Sequence, residues 1–191
     1  MQAGAASPDR DISDRYSTTA IWLHWIIAGL IIANLALGLL QDEFGREARG
    51  WMIWLHKATG MTVLGLSLAR LLWRLGHRPP PFDPALLRWE IGLARAVHWL
   101  FYLMMIAIPL SGWLLSSSGN RATDFFGLFE IPPLPISRAE DVNERLENVH
   151  EILGKAMIGL ILLHVAGAVR HHLAGHTHLI GRVGIRIGGT R

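Results

Sequence analysis

The sequence predicts an all-α fold, an integral membrane four-helix bundle with both termini on the cytoplasmic side. Three observations carry this expectation. Apolar residues make up 51% of the 191 positions and charged residues only 17%, against roughly a quarter in soluble domains, and the mean hydropathy is +0.31. The apolar residues gather into four runs of about twenty, the length that crosses a hydrocarbon core of ~30 Å. Backbone placed in lipid must satisfy its hydrogen bonds within its own segment, so such runs are helices rather than loops. A chain of this length has room for one domain.

The elements follow in order. Residues 1–15 form a polar tail. The first apolar run, 20–40, is long enough to span and is followed by Gln41, Asp42 and Glu43 rather than a small-residue cleavage site, so it reads as a retained helix. The second span is expected at 52–75. It ends at HRPPPFDPA, whose prolines stop a helix and hold the next one away. The third is expected at 91–115. A long connection, 116–148, contains FFGLFEIPPLPI, an apolar, proline-bearing stretch expected on the outer membrane surface. Ser137 followed by Glu140 has the form of a capping box and predicts that the fourth helix starts near Arg138, ahead of its membrane portion at 149–173. Residues 16–173 thus form the membrane domain, and 174–191 a basic tail.

Orientation rests on Lys and Arg. Eleven of the eighteen fall in the amino-terminal tail, around the second connection and after the fourth span. The other seven, Arg46, Arg49, Lys57, Arg121, Arg138, Arg145 and Lys155, fall on the opposite side, and three of those lie in the long loop, where they count for less. The tryptophans Trp22, Trp25, Trp51, Trp54, Trp73, Trp99 and Trp113 cluster near span ends, as interfacial anchors do. The net charge of +3 is spread between apolar runs, a loop-charge pattern rather than a nucleic-acid surface. The absence of cysteine excludes disulfides, thiolate-held iron–sulfur clusters and covalent c-type haem.

Chemistry is concentrated in histidines. Histidine inside a span is expensive and marks function. His150 and His164 lie fourteen residues apart, four helical turns or about 21 Å along one face. With the spans alternating in direction, His24 shares the inner depth of His164, and His56 shares the outer depth of His150. Each pair sits where one metal needs two axial ligands, which points to two non-covalent haems stacked across the membrane in the bundle core. Gly60, Gly154, Ala28 and Ala168 each stand four residues after one of these histidines. That position shares the histidine's face, and a small residue there lets a flat macrocycle approach; close helix packing is the alternative use. His171 extends the stripe of His150, Met157 and His164, and His98 lies early in span three. Both are candidates for a quinone head group and proton exchange, or for interfacial bonds to lipid and water. His77 reads as a loop residue, and His172, His176 and His178 as a solvated tail.

The chain resembles the bacterial cytochrome b561 family of four-helix, di-haem membrane proteins. The matching stretches are Tyr16-Ser17, Leu23-His24-Trp25, Leu55-His56, Arg70-Leu-Leu-Trp-Arg74, His98-Trp-Leu-Phe-Tyr102 with Pro109, His150-Glu151, and Leu163-His164 through His171-His172. They run in order over Tyr16 to His172. The resemblance implies two haem b groups ligated by His24, His56, His150 and His164, electron exchange with ubiquinone near His98 and His171, and a place in the bacterial inner membrane. In one branch of the family it implies oxidation of superoxide at the outer face. That substrate favours a positive outer funnel, whereas the outer loops hold Asp42, Glu43, Glu47, Asp124, Glu130, Glu140, Asp141, Glu144 and Glu147. Lys57, Arg138, Arg145 and Lys155 are the candidates for a local patch. Two other classes are consistent with parts of the pattern. One is a haem-bearing membrane anchor and electron conduit for a soluble partner, a dehydrogenase or hydrogenase. The other is a transition-metal transporter, which needs a continuous polar path that the carboxylate-poor spans do not offer.

Overall fold

The computed structural model describes residues 16–77, 79–82, 86–137, 139–175 and 181–184. Among these, four long helices carry the fold: α1 (Thr18–Leu40), α2 (Gly45–Gly76), α3 (Arg88–Ser118) and α4 (Glu140–Leu173). Between α3 and α4 lies a short hairpin of β1 (Thr123–Phe125) and β2 (Phe129–Ile131). All four expected helices are present, and three of them run well beyond the expected spans, because helix formation does not stop where the apolar run does.

Each boundary has a local cause. Ser17 caps α1, its hydroxyl accepting from the Ala20 N–H at 3.3 Å. Gly45, at φ +80°, reverses the chain into α2, and the Arg49–Asp42 ion pair at 2.7 Å ties that turn. His77 leaves α2 in an extended conformation ahead of the prolines and stacks on Trp73 at 3.8 Å. The Leu87 N–H donates to Glu90 at the start of α3 (3.0 Å). The Ser137 capping box does not form as expected. The N-cap of α4 is Ala139, and Ser137 instead accepts from the Ala139 N–H; Arg138 lies outside the described residues. α4 continues to Leu173, so His172 belongs to its last turn rather than to a tail, while His176 and His178 lie outside the described residues.

The helices alternate in direction. The start of α1 meets the end of α2 through Arg70 and the Ala20 carbonyl (3.1 Å). Lys57 of α2 reaches Ser116 near the end of α3 (2.8 Å). Glu90 near the start of α3 pairs with Arg170 near the end of α4 (2.8 Å). The first and last helical ends therefore share one face of the bundle. Close backbone packing joins α1 to α2, α2 to α3 and α3 to α4, whereas α4 approaches α1 and α2 closely at few points among the described residues. The core is small: Ile27, Tyr102, Met105 and Met157 are buried together.

The outside is apolar. Trp22, Leu39, Leu72, Leu103 and Leu162 are each at least 60% exposed, an arrangement that lipid stabilises and water does not. By length and composition α1, α3 and α4 suffice to cross a membrane, and α2 is not in that set. Its Lys57, Arg70 and Arg74 interrupt the apolar run, and neighbours meet all three: Ser116, the Ala20 carbonyl, and the rings of Trp99 and Tyr102.

The third connection, read from sequence as an apolar stretch, carries regular structure. It folds into an antiparallel hairpin with Thr123 opposite Ile131 and Phe125 opposite Phe129. Phe126 and Gly127 both take positive φ, 55° and 73°, and the Leu128 N–H closes on the Phe125 carbonyl (3.0 Å), which is the type I′ geometry that suits a tight hairpin. The hairpin packs on α2, with Phe126 edge-on to Trp54 at 6.2 Å.

Candidate metal-ligating histidine pairs

The four intramembrane histidines come together two by two. The rings of His56 and His150 have centroids 6.0 Å apart, and those of His24 and His164 are 6.4 Å apart. Two imidazoles that ligate one metal from opposite sides, each through a nitrogen ~2 Å away, place their centroids roughly 6 Å apart. The pairs bridge α2 to α4 and α1 to α4, the helices whose backbones do not otherwise pack closely. Among the described residues no cluster of three or more His, Asp or Glu forms a metal cage.

At the His56–His150 pair, which the sequence places at the outer level, each Nδ1 is engaged. His56 Nδ1 donates to the Asn34 carbonyl at 3.0 Å. The Asn34 side-chain oxygen is held by the Thr59 hydroxyl at 2.5 Å, one turn on from Leu55, whose carbonyl Thr59 also meets. The Ser111 hydroxyl donates to the Ile108 carbonyl (2.7 Å), so its oxygen accepts from His150 Nδ1 (2.9 Å). Both bonds orient a ring and leave Nε2 bare, the role outer partners play at ligating histidines. Two glycines make room for these rings. A Cβ on Gly38 would stand 3.1 Å from His56 Cε1, and one on Gly112 would stand 3.0 Å from His150 Cε1. Ser111→Ala removes the Nδ1 partner of His150 and is expected to weaken metal binding at the outer pair by roughly 10–100-fold. A titration of metal or haem release that leaves the variant level with the native chain would refute that role.

The inner pair is surrounded by rings. His98 stands 5.6 Å from His164, with its Nδ1 turned back to the Ala94 carbonyl, and Phe101 stands 5.3 Å from His164 on the same helix as His98. His171 lies in the last turn of α4, at the bundle end that α3 starts from. Between the two levels, Met157 of α4 is 2% exposed and packs with Ile27, Tyr102 and Met105.

Of the sequence-expected small residues, Gly154 leaves open space beside α4, and a Cβ on Gly60 would meet only Asn34 Nδ2 at 3.5 Å. Gly38, Gly112, Asn34 and Ser111 were not singled out by sequence reasoning. Their signal is a polar or glycine residue inside an apolar run, which becomes specific only when the facing helix is known. The expected outer cationic patch is largely neutralised. Arg145 pairs with Asp141 and Lys155 with Glu151; Arg138 lies outside the described residues, and the half-buried Lys57 has the neutral Ser116 as its hydrogen-bond partner.

An apolar-surfaced helical bundle with paired imidazoles at two depths defines a membrane electron-transfer protein. The family model described as prokaryotic cytochrome b561 matches residues 15–183, and the chain belongs to that family, whose members are haem b proteins of bacterial membranes. It is 30% identical over 158 residues to the probable superoxide oxidase CybB of Yersinia pestis, covering 83% of this chain and 89% of that one. Cytochrome b561 homolog 1 of Escherichia coli (strain K12) is 26% identical over 161 residues, covering 83% and 90% of the two chains. Homolog 2 of the same strain is 28% identical over 162 residues, covering 83% and 85%.

Proposed function

We propose that the chain is a di-haem superoxide:ubiquinone oxidoreductase of the bacterial cytoplasmic membrane, crossing it four times with residues 16–173 as one cytochrome domain and both termini inside. His24 and His164 would hold one haem b at the inner level, and His56 and His150 would hold the other at the outer level. The observation that carries this reading is the pair of opposed imidazoles, at one-metal spacing, on helices that do not otherwise pack closely. The Nδ1 bonds to Asn34 and Ser111 and the open space beside Gly154 fit a flat group ligated through Nε2.

Each haem would supply, when bound, a one-electron couple suited to electron transfer. The chain's own residues do the rest. Asn34 and Ser111 fix the outer imidazoles, while Met157, Ile27 and Met105 keep water from the middle of the bundle. Lys57 draws an anion toward the outer pair. His98 and His171 hold the quinone head group at the inner end and exchange its protons. In the overall balance, two superoxide ions each lose one electron to become oxygen, and one quinone gains two electrons and two protons to become quinol. The name of the Yersinia pestis relative supports superoxide as the donor.

The purified protein is expected to show two b-type haems per chain and to reduce a ubiquinone analogue when superoxide is generated. A chain without haem would overturn the whole reading. Haem present, but no superoxide-driven quinone reduction, would overturn the oxidoreductase and leave a conduit for a peripheral dehydrogenase or hydrogenase.

A further inference from the structure

The end of the bundle where α1 starts and α2 finishes holds a cleft of about 860 Å³, walled by Ser17, Ile21, Arg70, Trp73, Arg74 and Tyr102 among others. Arg70 donates to the Ala20 carbonyl, and the Arg74 guanidinium lies over the rings of Trp99 and Tyr102, 5.7 and 5.6 Å from their centroids. The ion pairs among the described residues join Asp42, Asp141, Glu151 and Glu90 to other cations, so neither arginine of the cleft has a carboxylate partner there. Two guanidinium groups at one cleft, without a carboxylate partner among the described residues, attract an anion, and their planar donor sets match phosphate oxygens two at a time.

Tyr102 also lines a second cavity of about 430 Å³ along the α2–α3 seam, with Leu71, Trp99, Leu103, Ala107 and Leu110. From Trp99 to Leu110 this trough runs ~16 Å along α3, at the rise of an α-helix. A cationic cleft that shares a wall with an apolar trough matches an amphiphile with an anionic head.

We propose that this is a binding site for an anionic glycerophospholipid, with its phosphate at Arg70 and Arg74 and one acyl chain along the α2–α3 trough. A neutral quinone offers carbonyl acceptors but no charge to match two guanidinium groups, and a zwitterionic lipid brings an ammonium group that opposes them. Anionic headgroups are recognised by basic pockets between membrane helices in this way. The inference needs only the membrane setting of the bundle; it does not rest on the histidine pairs.

The test is native mass spectrometry of the full-length protein, titrated with phosphatidylglycerol and with phosphatidylcholine of the same acyl chains. Phosphatidylglycerol is expected to be retained at least ~10-fold more tightly, a difference of about 1.4 kcal/mol. The double variant R70Q/R74Q should lose that preference and R70K/R74K, which keeps the charge without the planar donor fork, should keep it in weakened form, with haem absorbance unchanged in both. Leu103→Trp, which fills the trough and leaves the charges in place, should weaken phosphatidylglycerol binding by itself, and it decides the matter if the double variant does not fold. Equal retention of the two lipids, or a preference that survives both R70Q/R74Q and Leu103→Trp, would overturn the proposal. So would full displacement of the lipid by inorganic phosphate, which identifies a free-anion site, or by a short-chain ubiquinone, which identifies a quinone site. Loss of haem from R70Q/R74Q would assign the arginines to the cofactor instead.

Discussion

With one haem at each histidine pair, as proposed, His150→Ala is expected to halve the haem content, from two groups per chain to one, and His56→Ala to do the same at the same level. His164→Ala and His24→Ala should remove the other group, and a variant carrying one change from each pair should bind none. The reason is geometric. The four histidines pair across the bundle as His56–His150 and His24–His164; an alanine in the first pair leaves no third imidazole beside it among the described residues, whereas His98, 5.6 Å from His164 with its Nδ1 turned back to the Ala94 carbonyl, is the neighbour that the second pair retains. The haemochrome spectrum counts the groups, and potentiometric titration shows which remains: the surviving centre should keep its native midpoint. Loss of both groups from any single change, or retention of both, would show that the pairing is wrong.

Gly112→Val is expected to empty the outer site almost as fully, without touching a ligand. The nearest atom to the added Cβ is His150 Cε1 at 3.0 Å, which sits between the two ring nitrogens. A ring that tilts to escape carries Nε2 off the metal axis and strains the Nδ1 bond to Ser111 (2.9 Å). Gly38→Val acts in the same way on His56, where the contact is 3.1 Å. Losses of ~10–100-fold in outer-haem affinity, the scale for disturbed ligand support, should appear in haem retention during dialysis. Gly29→Ala is the matching control, since a Cβ there meets nothing within 4 Å. If Gly112→Val retains haem as the control does, the close approach has no bearing on the site.

Much of the bundle was legible in the sequence because the features that define it are periodic. The apolar runs predict all four helices, of which α1, α3 and α4 are apolar enough to span by length and composition, and the fourteen-residue spacing on one helix predicts that His150 and His164 project from one face. The depth argument brings His24 and His56 to opposite levels, and the rings meet in those pairs. What was not legible depends on contacts between segments. Gly38 and Gly112 look like ordinary glycines of a span until a facing imidazole is placed against them. Ser111 sits two residues after Pro109 in a run that only announces a helix. The hairpin was hidden because Phe126 occupies a backbone conformation usually taken by Asn, Asp or Gly, so FFGLFE read as an apolar loop. The α4 boundary was nearly right for the wrong reason, since the serine expected to cap it serves the residue before the helix.

α4 alone carries a histidine of both pairs, with Met157 seven residues from each. This makes the helix a ruler whose graduations cannot be edited singly. One residue inserted between His150 and His164 turns everything beyond it by about 100° and sends one imidazole away from its partner. A seven-residue deletion returns the face nearly to register but halves the spacing to about 10.5 Å. The segment between the two histidines therefore tolerates substitution far more readily than any change of length, while the connections at 41–44 and 119–139 carry no such constraint on the distance between the two centres.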